Sequence, residues 1–391
     1  MNKLALHFIC KNESHVISKM LDSCKNITDL IVVNDTGSTD GTQDIIRKFG
    51  EDNNIPTYVF ERPFDNFGKS RNYAMDKLIE VVKELNWDPN SVFGFWFDCD
   101  EKLEINPSFT KEQFTKDFYM MNTYIGHMKY TRNTFFRLSK EFRWEGVVHE
   151  FITTSDKTIT SGVAENIKVI VEMTGNSWLG DIPTKYLGHA QLLEKHLSTD
   201  RTDPRNIFYL GQSYHDSATI PNNKEENDER LRRSMFYYRE RANRNDGYKE
   251  EIYYSQYRIG TIMSRLEEPW NLTLQELLKA YSIDPLRGES IKTIIDHYLM
   301  VGEWNLAYLY SKFAKVNFHG KNPYPQRLLF VDESLYNWKF AEAHSASCYY
   351  TGRKDEAKVT YNEILTLTKT HPQYFTPEDL DKIEKNKQFF I

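Results

Sequence analysis

Cysteine is scarce in this sequence: the 391 residues contain four, Cys10, Cys24, Cys99 and Cys348. That is too few for a disulfide framework, and they lack the paired spacing of a metal site. Reduced thiols in a cytoplasmic setting are the expectation. Long apolar runs are missing as well. None approaches the roughly 20 residues that cross a bilayer, and the opening MNKLALHFICKNE passes straight into a strand-like pattern, so no signal peptide is expected. No membrane span is expected. Excess positive charge is also absent: 50 Lys and Arg stand against 56 Asp and Glu, a net charge of -6. Such a balance gives no overall electrostatic footprint for nucleic acid, so nucleic acid is not an expected partner. Aromatic residues, in contrast, are plentiful, with 24 Tyr and 24 Phe. The length asks for two domains.

The first half alternates strand and helix patterns. Residues 3–10 read as a strand, followed by Lys11-Asn12-Glu13 and a helix near Ser14–Cys24 with apolar positions at helical spacing. Residues 29–35 form a β-branched run that ends in Asp35. The stretch Thr36–Thr42 is dense in small and capping residues, and Ser38, Thr39 or Asp40 could cap a helix over Gln43–Phe49. A strand at Thr57–Glu61, a helix at Lys69–Leu85 and an apolar strand from Val92 to Phe97 follow. This last run stops abruptly in Asp98-Cys99-Asp100-Glu101. Crossovers of a dozen or more residues between strands imply a mostly parallel α/β sheet. Such sheets bind ligands beyond the carboxyl ends of their strands, where Asp35, Arg71, Asp98 and Asp100 would gather. Two hard oxygen ligands at Asp98 and Asp100 suit Mg2+ or Mn2+.

The order Lys11-Asn12-Glu13, then VVNDTGSTDGT, then NFGKSRNYAM, then FWFDCDE resembles the family 2 glycosyltransferases of the GT-A fold, over roughly residues 3–150. The resemblance implies that Asn12, Glu13 and Asp35 hold the nucleotide base, that Arg71 contacts base or phosphate, and that Asp98 and Asp100 hold metal and diphosphate. It also implies an inverting transfer from a nucleotide-sugar. The residue types agree: an aspartate accepts hydrogen bonds from a uracil imide or a ribose hydroxyl, an arginine fork fits phosphate, and a cation offsets charge on the leaving diphosphate. A UDP-sugar is the expected donor.

Further on, Gly126–Leu138 reads as two strands with a turn at Thr131-Arg132-Asn133. The element Arg143-Trp144-Glu145-Gly146-Val147-Val148-His149-Glu150 is similar to one that closes the active site in the branch of the family carrying helical repeats. His149 is the candidate further metal ligand, and Trp144 a candidate stacking surface for sugar or acceptor. Glu150 is the candidate base, with Glu101 as its competitor, and the sequence leaves the choice open.

From about Pro183 strand patterns vanish. The domains therefore read as 1–182, a GT-A catalytic domain, and 183–391, an all-α domain of tetratricopeptide-like repeats. The clearest unit runs from Ala341 through His344, Cys348, Gly352 and Ala357 to Leu365; Ile291–Val301 and Trp304–Val316 form another helix pair, turning at Gly302-Glu303. Such units stack, and aromatic residues fill their interfaces. Ser217–Glu229 and Asn317–Gln326 read as breaks. The repeats would bind the acceptor, a glycan or a protein side chain, or form a homodimer. Two other readings remain: a degenerate catalytic domain serving as an interaction scaffold, and a nucleotidyltransferase. The second would carry a Gly-rich basic loop after the first strand, where this chain has Cys10-Lys11-Asn12-Glu13-Ser14.

Overall fold

The structure is a computed structural model describing residues 1–126, 128–321 and 329–390. The chain forms two compact units, one of Met1–Gly126 with Tyr130–Arg201, the other built on Thr202–Ile391. The division falls one helix later than the change of texture near Pro183.

The first unit contains strands β1 (Lys3–Cys10), β2 (Leu30–Asp35), β3 (Thr57–Glu61), β4 (Val92–Phe95), β5 (Glu101–Ile105), β6 (Phe118–Ile125), β7 (Met128–Arg137), β8 (Arg143–Glu145), β9 (Phe151–Thr153) and β10 (Ser161–Val171). Its helices are α1 (Ile17–Cys24), α2 (Thr42–Asn53), α3 (Phe67–Glu84) and α4 (Ile182–Leu197). The main sheet runs β3-β2-β1-β4-β7-β6-β10-β5. The first three helices each return the chain to the same end, so β1 lies parallel to β2 and β4, and β2 to β3. Later strands have no helical crossover, and there β7 runs antiparallel to β4 and β5 antiparallel to β10. The result is the expected mixed, mostly parallel sheet with a helical unit behind it in sequence.

Both faces of the sheet are covered, which is why β1 and β2 are apolar at nearly every position. Leu4, Leu6 and Phe8 face one core with Met20, Leu21 and Ile46; Ala5, Leu30 and Val32 face another with Met75, Leu78 and Val82 of α3. The register sets Cys10 opposite Asp35, so both strands stop at one level, where the loops begin.

Three details differ from the sequence reading. No turn interrupts Thr131-Arg132-Asn133, because β7 runs unbroken through these residues. The acidic tip leads at once into β5, whose short Glu101–Ile105 segment carries too few apolar residues to be read as a strand. In the second unit Lys224–Glu229 is helix, not loop. Asn223 accepts from the Glu226 amide at 3.2 Å, and Glu225 and Glu226 lie in the first turn, where acidic side chains suit the helix dipole.

The second unit holds α5 (Pro204–Ser217), α6 (Lys224–Ala242), α7 (Lys249–Arg265), α8 (Trp270–Ile283), α9 (Glu289–Met300), α10 (Trp304–Asn317), α11 (Phe340–Tyr350), α12 (Lys354–Thr370) and α13 (Pro377–Asn386). From α5 to α10, and again from α10 to α12, each helix packs on the next. Gly302 and Gly352 take left-handed φ of 79° and 78° in the α9–α10 and α11–α12 turns, a conformation that favours glycine. Aromatic pairs join neighbouring helices, Tyr281–Phe313 between α8 and α10 and Trp304–Tyr350 between α10 and α11, which accounts for part of the aromatic surplus. The expected break at Asn317–Gln326 lies outside the described residues from 322 onward. No described helix is long and apolar enough to cross a membrane.

Candidate active site

After β4 the chain leaves the sheet through Trp96 and Phe97 and turns tightly. The amide of Asp98 donates to Glu101 Oε2 at 2.7 Å. Arg132, projecting from β7, grips both oxygens of Glu101, at 2.8 and 2.5 Å. Glu101 is only 4% exposed. A bidentate pair of this kind is strong and directional, so Glu101 fixes the tip in place. This corrects the expectation that Glu101 competes as the base: both its oxygens are committed, and neither is open to an acceptor.

Arg71, in the second turn of α3, is the hub of the arrangement. Its Nη2 donates to Asp98 Oδ1 at 2.6 Å and its Nε to Glu150 Oε1 at 2.7 Å. The guanidinium lies about equally far from the rings of Trp96 and Trp144, 4.9 and 5.0 Å from their centroids. Two of its nitrogens are therefore spent on carboxylates, and Nη1 is buried without a hydrogen-bond partner. Burial by itself would raise the Asp98 pKa, but Arg71 and Arg132 outweigh it and hold the carboxyl below the usual range. The Asp98 side chain remains 43% exposed, that of Glu150 10%.

Glu150 reaches Arg71 because the loop between β8 and β9 is sharply folded. Gly146 has φ 107° and His149 φ 54°, and a Cβ on Gly146 would stand 3.1 Å from the Glu150 Cα. Gly68, at the start of α3, allows the other side of this approach: a Cβ there would meet the Gly146 carbonyl oxygen at 2.9 Å. Asn72 then clasps the Trp144 backbone through two hydrogen bonds.

Asp100 accepts from the Gly175 amide at 3.4 Å; burial, and then the charge of Asp98, raise its pKa. Two carboxylates that disfavour each other's charge, one with a free oxygen, fit a shared divalent cation. His149 does not complete the set. Among the described residues, Asp98, Asp100 and His149 do not bring three ligand atoms within 4.8 Å of one another. Its ring instead stands edge to face with that of His189 on α4, centroids 6.0 Å apart, and His189 packs likewise on Phe67 and Tyr186.

The loop residues at the ends of β1 and β2 are held by one another. Asn12, at φ 57°, donates its amide to Ser38 Oγ and accepts from the Thr39 amide, at 2.9 and 2.8 Å. Glu13 donates its amide to Thr42 and accepts from the Asn176 amide at 3.0 Å. Asp35 is fully buried. One oxygen takes the amides of Gly37 and Ser38, at 2.8 and 2.7 Å, and the other the thiol of Cys10. Burial would raise its pKa, but the hydrogen bonds from Ser38 and Gly37 outweigh this and lower it. In this structure Asp35 shapes its own loop and turns no oxygen outward. Asp40 accepts from Ser14 and Thr42, tying the two loops together. Trp144 corrects another expectation. It is 4% exposed, edge-on to Trp96 at 4.5 Å, and has no face to offer a sugar.

Two functional candidates were not found in the sequence. In the sequence Arg132 reads as a turn residue, and its hydrogen bonds to Glu101 from β7 appear only in the fold. Lys185 sits on α4, which reads as the first repeat helix from Tyr186, His189, Ala190 and Leu193. Its amine lies 4.1 Å from the Trp178 ring centroid. Burial lowers its pKa, and the charges of Asp100 and Asp98 act against that. The alternation of helix faces on α4 was the available signal, but nothing local shows which unit it joins.

Residues 7–79 match the model of the family described as Glycosyl transferase family 2. Over 217 residues the chain is 26% identical to the SPbeta prophage-derived glycosyltransferase SunS of Bacillus subtilis (strain 168), and equally to the glycosyltransferase SunS of Bacillus phage SPbeta. The alignments cover 53% of this chain and 48% of each relative, so the chain spans about half the length of the curated relatives it matches. Among solved structures, S. aureus TarS 1-349 in complex with UDP aligns at 12% identity and a TM-score of 0.32, over 70% of this chain and 90% of that one. MamA AMB-1 aligns at 17% identity and 0.33, over 48% and 92%. What the match over residues 7–79 and the sheet around it establish is a glycosyl transferase family 2 domain at the N-terminal end of this chain.

Proposed function

We propose that the chain is a metal-dependent, inverting glycosyltransferase that moves a sugar from a nucleoside diphosphate sugar, a UDP-sugar, to a hydroxyl or thiol of a glycan or protein. The observation that carries this reading is the single guanidinium of Arg71 holding both Asp98, on the side of the candidate metal ligands, and Glu150, the candidate base. It sets the two ends of a displacement in one rigid frame, and positioning of that kind accounts for a large share of enzymatic rate.

In this reading Glu150 spends Oε1 on Arg71 and uses Oε2 to take the acceptor's proton. The acceptor atom bonds to the anomeric carbon as the bond from that carbon to the phosphate oxygen breaks, and the nucleoside diphosphate leaves. Asp98 and Asp100 would hold Mn2+ or Mg2+, which supplies positive charge against the departing diphosphate. Lys185 adds a fixed positive charge beside the same two aspartates, and Glu101 with Arg132 keeps the tip from moving. Asn12 and Glu13 border the nucleotide site, with Asp35 supporting their loop from beneath. The helical unit is proposed to present the acceptor or a second copy of the chain.

The test is thermal stability with UDP, with and without Mn2+. UDP is expected to stabilise the protein only with the cation present, by RT ln(1 + [L]/Kd), about 2.7 kcal/mol at a hundred times Kd. Asp100→Ala should abolish that dependence along with activity. Metal-dependent UDP binding that survives in Asp100→Ala would remove Asp100 from the metal set. A wild type that ignores UDP and Mn2+ together would favour the scaffold reading.

A further inference from the structure

The helical unit contains a cluster of metal-ligating groups of its own. His344 and Cys348 lie one turn apart on α11, and Glu356 faces them from the first turn of α12. Among the described residues this is the one group whose three ligand atoms all lie within 4.8 Å of one another. His344 Nε2 is 3.1 Å from Glu356 Oε1 and 3.5 Å from Cys348 Sγ. His344 is 2% exposed and Cys348 fully buried, while the Glu356 side chain, at 37%, leaves a way in.

The contacts around the histidine suit a metal-ligating tautomer. The Ser311 hydroxyl donates to the Tyr308 carbonyl at 3.1 Å, which uses the hydroxyl's proton. The Ser311 oxygen, 3.1 Å from His344 Nδ1, is then placed to accept from that nitrogen, which fits the tautomer that leaves Nε2 open to a ligand. In that tautomer Nε2 turns a lone pair toward Glu356 Oε1, 3.1 Å away, and a cation rather than a proton would join the two. The other carboxylate oxygen takes the Tyr308 hydroxyl at 3.0 Å, which keeps Oε1 aimed at the ring. A cation satisfies this arrangement. A ligating histidine usually donates its far N–H to an oxygen acceptor, a place the Ser311 hydroxyl would fill here.

We propose that His344, Cys348 and Glu356 bind a divalent cation of borderline softness, of the zinc type. The nitrogen, sulfur and oxygen donors suit such an ion better than Mg2+ or Ca2+. The nitrogen–oxygen and nitrogen–sulfur separations are those of neighbouring ligands on one small ion. Three protein ligands leave a fourth position for water on the side of Glu356. The ligand must be the thiolate, so binding releases the Cys348 proton to solvent and tightens as pH rises. Burial, and then the charge of Glu356, push the Cys348 thiol up to about 12; Arg353, Lys315 and Lys312, the last 3.7 Å from Glu356 Oε1, act against that shift, while their charge opposes the cation. Bound, the ion would link α11 to α12 at the centre of the clearest repeat unit.

The experiment is titration of the full chain with Co2+, followed by displacement with Zn2+. One equivalent of Co2+ should bring up a thiolate charge-transfer band that Zn2+ removes. Cys348→Ser should lose the band, and Ser311→Ala should keep it with affinity lower by roughly tenfold. Glu356→Gln, at a partly exposed position that tolerates the change, should retain the native circular dichroism spectrum and bind more weakly. Absence of the band in the wild type, or an equal band in Cys348→Ser, overturns the proposal, the second result because Cys99 or another thiol would then be the ligand. Unchanged affinity in Glu356→Gln also overturns it, since the three-ligand set would be wrong. None of these outcomes depends on the glycosyltransferase reading.

Discussion

The two carboxylates that the sequence offered as bases differ in what they touch, and that separates their mutants. Glu101→Gln would leave Arg132 buried against a neutral partner, a loss of about 3–5 kcal/mol when one member of a buried pair is removed. The chain should melt earlier. Glu150→Gln keeps a hydrogen-bond acceptor for Arg71 Nε and should melt within a few degrees of the wild type, retain Mn2+-dependent UDP binding, and lose turnover by roughly 100-fold or more. Calorimetry and single-turnover kinetics on the pair check this, and unchanged turnover in Glu150→Gln would move the base elsewhere. A buried histidine makes a separate prediction. His7 donates Nδ1–H to the Phe95 carbonyl at 3.1 Å and keeps Nε2 without a partner, so burial lowers its pKa to about 3, with the charge of Arg71 adding to the effect. An unfolded histidine titrates near 6.5, so between roughly pH 6.5 and 3 the unfolded chain binds a proton that the native one refuses. Stability then falls with falling pH, by about 1.4 kcal/mol per pH unit from this group. His7→Leu should flatten that limb in urea titrations across the window; an equal slope in both proteins would mean that His7 is not held neutral.

At the level of elements, the approach of α3 to the loop after β8 is set by two glycines. Gly68→Ala gains the ordinary helix propensity of alanine, yet its Cβ would meet the Gly146 carbonyl oxygen at 2.9 Å. That atom is backbone and cannot swing aside. The loop carrying Glu150 should shift outward, lowering turnover by roughly tenfold or more with little change in melting temperature. Equal activity in Gly68→Ala would show that the loop is not held by this contact. Helix and strand periods were readable in most elements: β1, β2 and α3 lie within a few residues of where their apolar spacing puts them, and α9 and α10 do too. β5 was not readable, because five residues with two glutamates and a lysine have no clear period. Nor was the continuity of β7, where Thr131-Arg132-Asn133 has turn-like chemistry that its place in a long strand between β4 and β6 overrides.

For the whole molecule, each unit has its own core, so unfolding of the full chain should show two transitions. UDP with Mn2+ should raise only the transition belonging to the first unit. A single transition shifted as a whole would show that the two units unfold together. The division after Arg201 gives α4 to the sheet unit, and with it Lys185 and His189 come to the site.

The order of motifs, the strand and helix periods and the chemistry of the acidic tip are local properties, and the sequence by itself determined them. Periodicity reports which face of an element is buried, and short motifs carry their own turns and caps. The choice of partners was decided only by the tertiary structure. Arg71 and Glu150 are 79 residues apart, Arg132 and Glu101 are 31 apart, and the ligand atoms of His344, Cys348 and Glu356 meet across two helices. A charged side chain has the same local signature whether it is pinned, bridged or free. Which of these it becomes depends on the groups that folding buries beside it, and no nearby residue encodes them.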